Sequence, residues 1–420
     1  MITRIEALNY RCLRHVAQDL GPFHILVGPN ASGKSTFLDV PGLMRDIVRD
    51  GRQDIGDVIS SRAPNYEDLV WKLGGQRFEV AVEVAIPESR RDQLAGGKTT
   101  CRYELGIGKI SQEGELGIHR EYLEIMPPPT PEEREETLQQ DSLGLVEVRP
   151  ASEPSRRLMV IVREHDVIGT ETRFEIETSP GKEFIFNLSP RTCALANLPP
   201  DDKLFPVANW FRQFLVDGVK TLALDPAAMR RPSPPTARRS FLPDGSSLPW
   251  ILGEFLPKNP NGLAEQWLEH VRIALPTLRS VRVVERPEDK HKYLKLSYED
   301  GLEIPSWLAS DGTLRFLALT LLAYLPDFTG TYLIEEPENG IHPTAVELVY
   351  ESLRSVYDGQ VLVATHSPAV LSLAELNQVL CFDKTDEEGV RIIPGHQHPR
   401  LRHWKGEVSL GTLFAGGVLG

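Results

Sequence analysis

Gly28-Pro29-Asn30-Ala31-Ser32-Gly33-Lys34-Ser35-Thr36 follows the apolar run Phe23 to Val27 and has the spacing Gly, four residues, Gly-Lys-Ser. Backbone N–H groups of such a loop point inward and cradle phosphates at the start of a helix. Gly28 and Gly33 allow the turn conformations and close backbone approach that a side chain would block. Lys34 supplies a point charge to the β and γ phosphates, and Ser35 offers a hydroxyl to Mg2+. The helical pattern Phe37, Leu38, Leu43, Met44, Ile47 follows, so the loop lies between a buried strand and a helix, as phosphate binding requires.

Two later strands end in residues of matching chemistry. Thr331-Tyr332-Leu333-Ile334 runs into Glu335-Glu336-Pro337-Glu338-Asn339, and a parallel sheet brings the carboxyl end of such a strand to the ligand side. Glu335 is expected in the Mg2+ shell, and Glu336 is expected to orient and deprotonate the water that attacks a γ-phosphate. Val361-Leu362-Val363-Ala364 leads to Thr365-His366-Ser367-Pro368, where His366 can hydrogen-bond the γ-phosphate or the attacking water. Between these stretches and the first lies Ser310-Asp311-Gly312-Thr313 ahead of an apolar helix. Ser310 reads as an N-cap, and the same helix start is an anion site open to a ligand bound by another subunit.

The rest of the chain must position these groups. Its 420 residues have room for two or three domains, and a composition of 41% hydrophobic and 25% charged residues is that of an ordinary globular protein. No apolar run reaches the roughly 20 residues of a membrane span. Met1-Ile2-Thr3-Arg4-Ile5-Glu6 lacks a secretion core, so a cytoplasmic location is expected. Cys12, Cys101, Cys193 and Cys381 form no C-x-x-C pair and are expected to be reduced. A net charge of −13 confines any nucleic-acid contact to a local patch.

Residues 1–20 read as an edge strand and hairpin. Arg11 and Arg14, at a strand end ahead of the turn at Gly21-Pro22, are either nucleotide contacts or solvated. Pro41-Gly42 is expected to bend or split the helix after the phosphate loop, with Gly51 as its stop. From Trp71 to about Leu188, short alternating runs (Arg77–Val84, Tyr103–Ile107, Tyr122–Ile125, Leu158–Val162, Phe184–Phe186) predict a half-exposed antiparallel sheet, interrupted by a mobile loop from Met126 to Gln140. Asn209–Leu215 and Leu263–Leu275 read as helices, and Ser280–Val284 and Tyr293–Ser297 as a hairpin. Arg230 to Arg239, rich in proline, reads as extended and exposed, either a phosphate-backbone contact or a solvated loop. No sustained heptads occur between the phosphate loop and residue 300, which excludes a long coiled-coil arm there.

The ordered set, phosphate loop, long insert, Ser-Asp-Gly helix, Ile-Glu-Glu-Pro-Glu strand, Asn-Gly-Ile-His-Pro and Ala-Thr-His-Ser-Pro, resembles the ABC-type ATPases of the SMC/RecF/OLD branch, over about residues 1–60 and 300–385. The resemblance implies an α/β fold: a P-loop ATPase head with a mixed sheet flanked by helices and a long inserted β-rich and helical region. Residues 1–70 would form the N-terminal half of the head, 71–198 a β-rich insert contributing to the ATPase lobe, 199–300 a helical insert with a terminal hairpin, and 301–420 the C-terminal half. It also implies a head-to-tail homodimer sandwiching two ATP and Mg2+. Gly28 to Thr36 would be the Walker A loop, Glu335 and Glu336 the Walker B acid and catalytic glutamate, Ser310 to Thr313 the signature motif, Asn339 to His342 the D-loop and His366 the switch histidine. Ser310 and Gly312 would then contact the γ-phosphate bound by the other protomer.

Two departures bear on hydrolysis: Glu335 replaces the usual Asp, and Ser-Asp-Gly-Thr replaces Ser-Gly-Gly-Gln. Gln53 and Gln76 are the candidates for a Q-loop glutamine. The 37 residues after Asp383 are too few for the Toprim nuclease of full OLD proteins, which implies that an effector such as a Toprim-like nuclease is a separate chain. The tail from His403 to Gly420 either docks such a partner or packs on its own core. The expected function is an ATP-hydrolysing switch coupled to DNA or to that effector in anti-phage defence or DNA repair. The alternative is a nucleotide-gated scaffold with little hydrolysis.

Overall fold

A computed structural model describes the chain except for residues 53, 74–75, 92–93, 95–96, 111–113, 129, 131–156, 165–170, 238, 327, 386–388, 402–407 and 418–420. Most of the expected loop after Met126, the Trp404 region of the tail and the candidate Gln53 lie outside the described residues. The chain forms two compact units, Met1–Gly21 with Asn30–Val219 and Phe382–Ile392, and Pro22–Pro29 with Lys220–Cys381 and Ile393–Gly420.

The first unit is built on an eight-stranded sheet in the order β2 (Leu13–Asp19), β1 (Ile2–Tyr10), β4 (Arg77–Ala85), β5 (Thr100–Lys109), β6 (Leu116–Met126), β7 (Leu158–Glu164), β8 (Glu171–Glu175) and β9 (Glu183–Asn187). Every pairing given for it is antiparallel. The edge is the hairpin's second strand, because β1 lies between β2 and β4. Ile5, Ala7, Val80, Val82, Tyr103 and Leu105 share one buried face by register. Helix α1 (Lys34–Asp50) contacts β1 and β4 and buries Phe37, Leu38, Val40, Leu43 and Ile47. It is pinned by the Tyr10 hydroxyl donating to Asp39 Oδ2 at 2.5 Å and by Arg62 Nε donating to Asp39 Oδ1 at 3.1 Å.

Two expectations change here. Helix α1 continues through Pro41 without a break and ends where Gly51 N–H donates to Ile47 O. Pro41 and Gly42 are themselves buried, so packing offsets the ~3 kcal/mol that an interior proline costs a helix. The sheet is also half exposed only at its far end, where β9 is exposed and β8 alternates, and not across β1, β4 and β5. The charged positions that alternate with the apolar ones there, Arg4, Glu6, Glu79, Glu83, Arg102 and Glu104, are buried: Arg4 and Arg102 bond the carboxylates of Glu6, Glu83 and Glu104, and Glu79 pairs with Arg77 and Arg120. Arg102 donates to Glu6 Oε2 at 2.7 Å, Glu83 Oε1 at 3.2 Å and Glu104 Oε2 at 3.3 Å, while Arg4 reaches Glu6 Oε1 at 2.5 Å and Asp19 Oδ1 at 2.8 Å. Mutual neutralisation lets these groups leave water despite the cost of burying a charge.

In the second unit, β14 (Thr331–Glu335), β15 (Gln360–Ala364), β3 (Phe23–Val27) and β16 (Val379–Thr385) pair in that order, all parallel, with β10 (Val219–Leu222) beyond β14 and the last residues of β16 counted with the first unit. The mostly apolar sequence of β3, β14 and β15, with His24 the one polar residue inside β3, suits strands buried on both faces. The core gathers Phe23, Ile25, Val363 and Tyr332 with residues of α4 (Leu263–Ala274), α5 (Asp311–Leu321), α6 (Pro343–Arg354) and α7 (Pro368–Leu373). Helix α3 (Leu248–Lys258) packs on an antiparallel three-stranded sheet, β11 (Leu278–Glu285), β12 (Lys292–Tyr298) and β13 (Glu303–Pro305). The tail helix α8 (Leu410–Ala415) buries Leu410 in this core and packs on α7 so closely that a Cβ at Gly411 would strike the Pro368 carbonyl. The described part of the tail thus packs on its own unit. Among the described residues no helix is long and apolar enough to cross a membrane.

Burial pushes the Glu6 carboxyl up, and the Arg102 and Arg4 guanidiniums more than offset it, holding Glu6 at about 2. A depressed carboxylate contributes stability that is present above its unfolded value of 4.5 and lost as pH falls towards 2. Glu6→Gln is expected to lower stability at pH 7 by about 3 kcal/mol, because it takes from two buried guanidiniums the carboxylate they share, and to flatten the acid limb of the profile. Urea unfolding at a series of pH values checks both.

Candidate functional site

Register in the second unit aligns the ends of three adjacent parallel strands: Glu335 of β14 pairs with Ala364 of β15, which pairs with Leu26 of β3. Glu336 N–H donates to Ala364 O at 2.7 Å, and Thr365 N–H donates to Leu26 O at 3.1 Å. The acidic turn, the histidine loop and Gly28-Pro29, where the phosphate loop begins, therefore leave the sheet side by side at its carboxyl end. That is the end at which open parallel sheets bind ligands.

The acidic turn is tightly wound. Glu335 is exposed, and Glu336 sits in the left-handed region at φ 46°, a conformation that costs a non-glycine residue ~1 kcal/mol and is held by its surroundings. Glu336 O accepts from Asn339 N–H at 3.0 Å, and the Asn339 side-chain amide bonds the Glu336 carboxylate. Thr365 Oγ1 donates to Glu338 Oε1 at 2.5 Å and accepts from Ser367 N–H at 2.9 Å. The His366 backbone N–H also bonds the Glu338 carboxylate. His366 is half-buried, and Ser367 caps α7 by accepting from Val370 N–H at 3.4 Å.

Helix α5 starts against this turn. Ser310 accepts from Thr313 N–H at 3.1 Å as the expected N-cap, and a Cβ at Gly312 would collide with the Gly340 carbonyl oxygen. Glycine at 312 thus lets the helix start approach the backbone that follows the carboxylates. Arg315 Nη1 donates to Asn339 O at 2.6 Å and Nη2 to Leu224 O at 3.3 Å. Arg230 clamps the residues before the cap, donating to Ala309 O at 2.9 Å and pairing with Asp311 at 2.5 Å. The basic segment is therefore not simply extended and exposed: Arg230 ends a short helix, and Ser233 forms a bridge with Lys292. Arg239, at its far end, pairs with Glu254 at 3.4 Å.

The first unit carries Asn30 to Thr36. Ala31 (φ 61°) and Gly33 (φ 99°) take left-handed conformations. A Cβ at Gly33 would come within 2.6 Å of Val390 Cγ2 and 3.1 Å of Cys12 Sγ, so glycine is required there for space as well as for φ. Lys34 and Ser32 are buried, with Lys34 Nζ 3.4 Å from Ser32 Oγ, while Ser35 at the first turn of α1 is exposed. The Cys12 thiol lies 3.5 Å from Thr36 Oγ1, and Arg11, at φ 51° in the hairpin turn, donates to Arg62 O at 3.0 Å. Gln76 is exposed at the entry to β4.

The second unit thus aligns Gly28, Pro29, Glu335, Glu336 and His366 at its strand ends and sets Ser310 and Gly312 at the start of α5 beside the turn after the carboxylates, and the first holds the remaining loop residues through Thr36. Sequence reading passed over Glu338, Thr365 and Arg315 as site components, and took Arg230 for a phosphate-backbone contact or a solvated loop. Glu338 sits in the same Glu-Glu-Pro-Glu run and Thr365 precedes His366, so each has a signal in the sequence, but their bond to each other has none. Among the described residues no three His, Cys, Asp or Glu side chains cluster to hold a metal on their own. Hydroxyl and carboxylate oxygens such as those of Ser35 and Glu335 are hard donors, of the kind that Mg2+ takes together with water and substrate phosphates.

A family model described as AAA domain, putative AbiEii toxin, Type IV TA system matches residues 23–372. No curated protein matches. Among solved structures, the SmcHead bound to the C-winged helix domain of ScpA is similar at 14% identity and a TM-score of 0.53, over 93% of this chain and 97% of that one. An Smc head domain with an extended coiled coil, bound to the C-terminal domain of ScpA derived from Pyrococcus furiosus, is similar at 14% identity and a TM-score of 0.50, over 93% and 95%. The mixed sheets flanked by helices are those of an SMC head, and the chain belongs to the AAA family whose model spans Phe23 to Ser372.

Proposed function

We propose that the chain is an ATP-hydrolysing switch: two copies close head to tail around two ATP, hydrolysis reopens them, and the change is passed to a separate effector. What supports this reading is the shared carboxyl end of β3, β15 and β14, with the glycine-tight start of α5 packed on the turn beside it. In each copy the backbone from Gly28 to Thr36 and the Lys34 ammonium would hold the β and γ phosphates. Ser35 and Glu335 would hold Mg2+, which when bound neutralises developing phosphate charge. Glu336 would accept a proton from the attacking water, and His366 would hydrogen-bond the γ-phosphate. Ser310 and the Gly312 backbone, at a helix start whose N–H groups favour anions, would close on the γ-phosphate held by the other copy.

The effector is proposed as a protein chain, a Toprim-like nuclease acting in anti-phage defence or DNA repair, with cytoplasmic location. The related heads were solved with a bound partner protein, ScpA. A DNA contact through Arg230 is disfavoured, since that guanidinium is spent on Ala309 and Asp311. A second reading, a scaffold with little hydrolysis, draws on one observation: the Asn339 amide occupies the Glu336 carboxylate that must act as base.

Glu336→Gln is expected to double in mass with saturating ATP-Mg2+ by size-exclusion light scattering and to stay so, while the wild type returns to monomer as ATP is consumed. A persistently monomeric variant overturns the switch; a wild type that also stays dimeric without phosphate release favours the scaffold. Gly312→Ala should weaken ATP-driven dimerisation at least about tenfold while nucleotide affinity of the monomer stays within about threefold, because the added Cβ displaces the start of α5 and leaves the phosphate loop untouched. Fluorescent-nucleotide titration and sedimentation measure the two separately.

A further inference from the structure

Glu338 has no part in the chemistry proposed above, yet its carboxylate bonds the histidine loop at two adjacent residues. Its Oε1 takes the Thr365 hydroxyl at 2.5 Å, and its carboxylate also takes the His366 backbone N–H. Thr365 is itself fixed at both ends of its own short polar set, by its N–H on Leu26 O and by its hydroxyl accepting from Ser367 N–H. On the other side, Glu338 O accepts from Ile341 N–H at 3.0 Å, within the turn that packs on Gly312. One carboxylate thus joins the segment carrying Glu335 and Glu336 to the segment carrying His366.

The surroundings make this tether firm. Glu338 lines an apolar pocket with Phe23, Ile25, Tyr350, Val363 and Val370, and its Oε2 is buried with no hydrogen-bond partner. Burial drives the carboxyl above its ordinary range against the opposing bond from Thr365. A hydrogen bond shielded from water is stronger than an exposed one, and leaving a buried acceptor unsatisfied is costly, so an oxygen is kept here for what it holds.

We infer that Glu338 is a positioning residue for hydrolysis, which through Thr365 and the His366 backbone sets the imidazole in register with the Glu335-Glu336 turn. The inference rests on the ATPase reading proposed above. It concerns the placing of His366, and Glu338 itself does not touch the nucleotide. Displacing a reacting group by about 1 Å costs on the order of a hundredfold in rate, so loss of the tether acts on turnover and leaves binding nearly intact.

The test compares steady-state ATP turnover and fluorescent-nucleotide affinity for the full chain carrying Glu338→Ala, Glu338→Gln, Thr365→Val, His366→Ala and the double change Glu338→Ala with His366→Ala. Glu338→Ala is expected to lower kcat by about ten- to a hundredfold with nucleotide affinity within about threefold. Glu338→Gln, which keeps one acceptor oxygen, should recover to within about threefold of wild type, and Thr365→Val should fall between. Since Glu338 acts through His366, the double variant should be no slower than His366→Ala alone. Multiplying losses in the double variant, or a normal kcat for both Glu338→Ala and Thr365→Val, overturns the inference while leaving the ATPase reading intact. No turnover by the wild type, or a His366→Ala as fast as wild type, removes the reading itself. If Glu338→Ala does not fold by thermal melting, Glu338→Gln and Thr365→Val carry the comparison.

Discussion

The parallel register of β14, β15 and β3 is the constraint from which the site follows. Two backbone bonds beyond the strand ends, Glu336 to Ala364 and Thr365 to Leu26, extend that register into the loops. Each loop is therefore placed by sheet geometry before any side chain contributes. Parallel strands of this kind are stable only when buried on both faces, so the apolar residues of β3, β14 and β15 bear on the site indirectly: they keep the strands that carry its loops still. What a nucleotide would meet is then a set of short, strained turns. Glu336 at positive φ and the glycine contact between positions 312 and 340 are local costs held in place by that burial.

The first unit meets the same demand for rigidity by different means. Its sheet has one apolar face, which carries α1 and so the end of the phosphate loop, and an opposite face where charges neutralise each other out of water. Such an arrangement adds less net stability than hydrophobic residues of equal size would, and its components fail together when one partner is removed. Arg102, bonded to three carboxylates, is the member on which the others depend.

How much of this was legible in the sequence depended on whether the chemistry was local. The phosphate loop, the Glu335-Glu336 turn and the His366 loop each declare themselves within about ten residues, because strand, turn and reactive group are contiguous there. The helix after Leu263 and the hairpin around Lys290 were legible for the same reason, and the short strand β8 was missed. Alternating Glu and Arg in β1, β4 and β5 look like a solvated face because periodicity reports alternation and is silent on what the charged side meets across neighbouring strands. Pro41 looked like a break because local propensity ignores tertiary burial. Arg230 was read for its charge, when its partners, Ala309 and Asp311, lie some eighty residues away. Glu338 and Thr365 stand in recognised motifs, but the bond between them spans strands and can be seen only in three dimensions.

The central claim is that one nucleotide site is completed by two copies of the chain, and mixing two inactive variants tests it most directly. Lys34→Ala disables the phosphate loop, and Ser310→Arg disables the start of α5 that would close on the partner's phosphate. Each alone is expected to hydrolyse almost no ATP. An equal mixture should form mixed dimers with one intact site each and regain roughly a quarter of wild-type turnover. A mixture as inactive as its components, from variants that are folded and exchange subunits, would contradict the account.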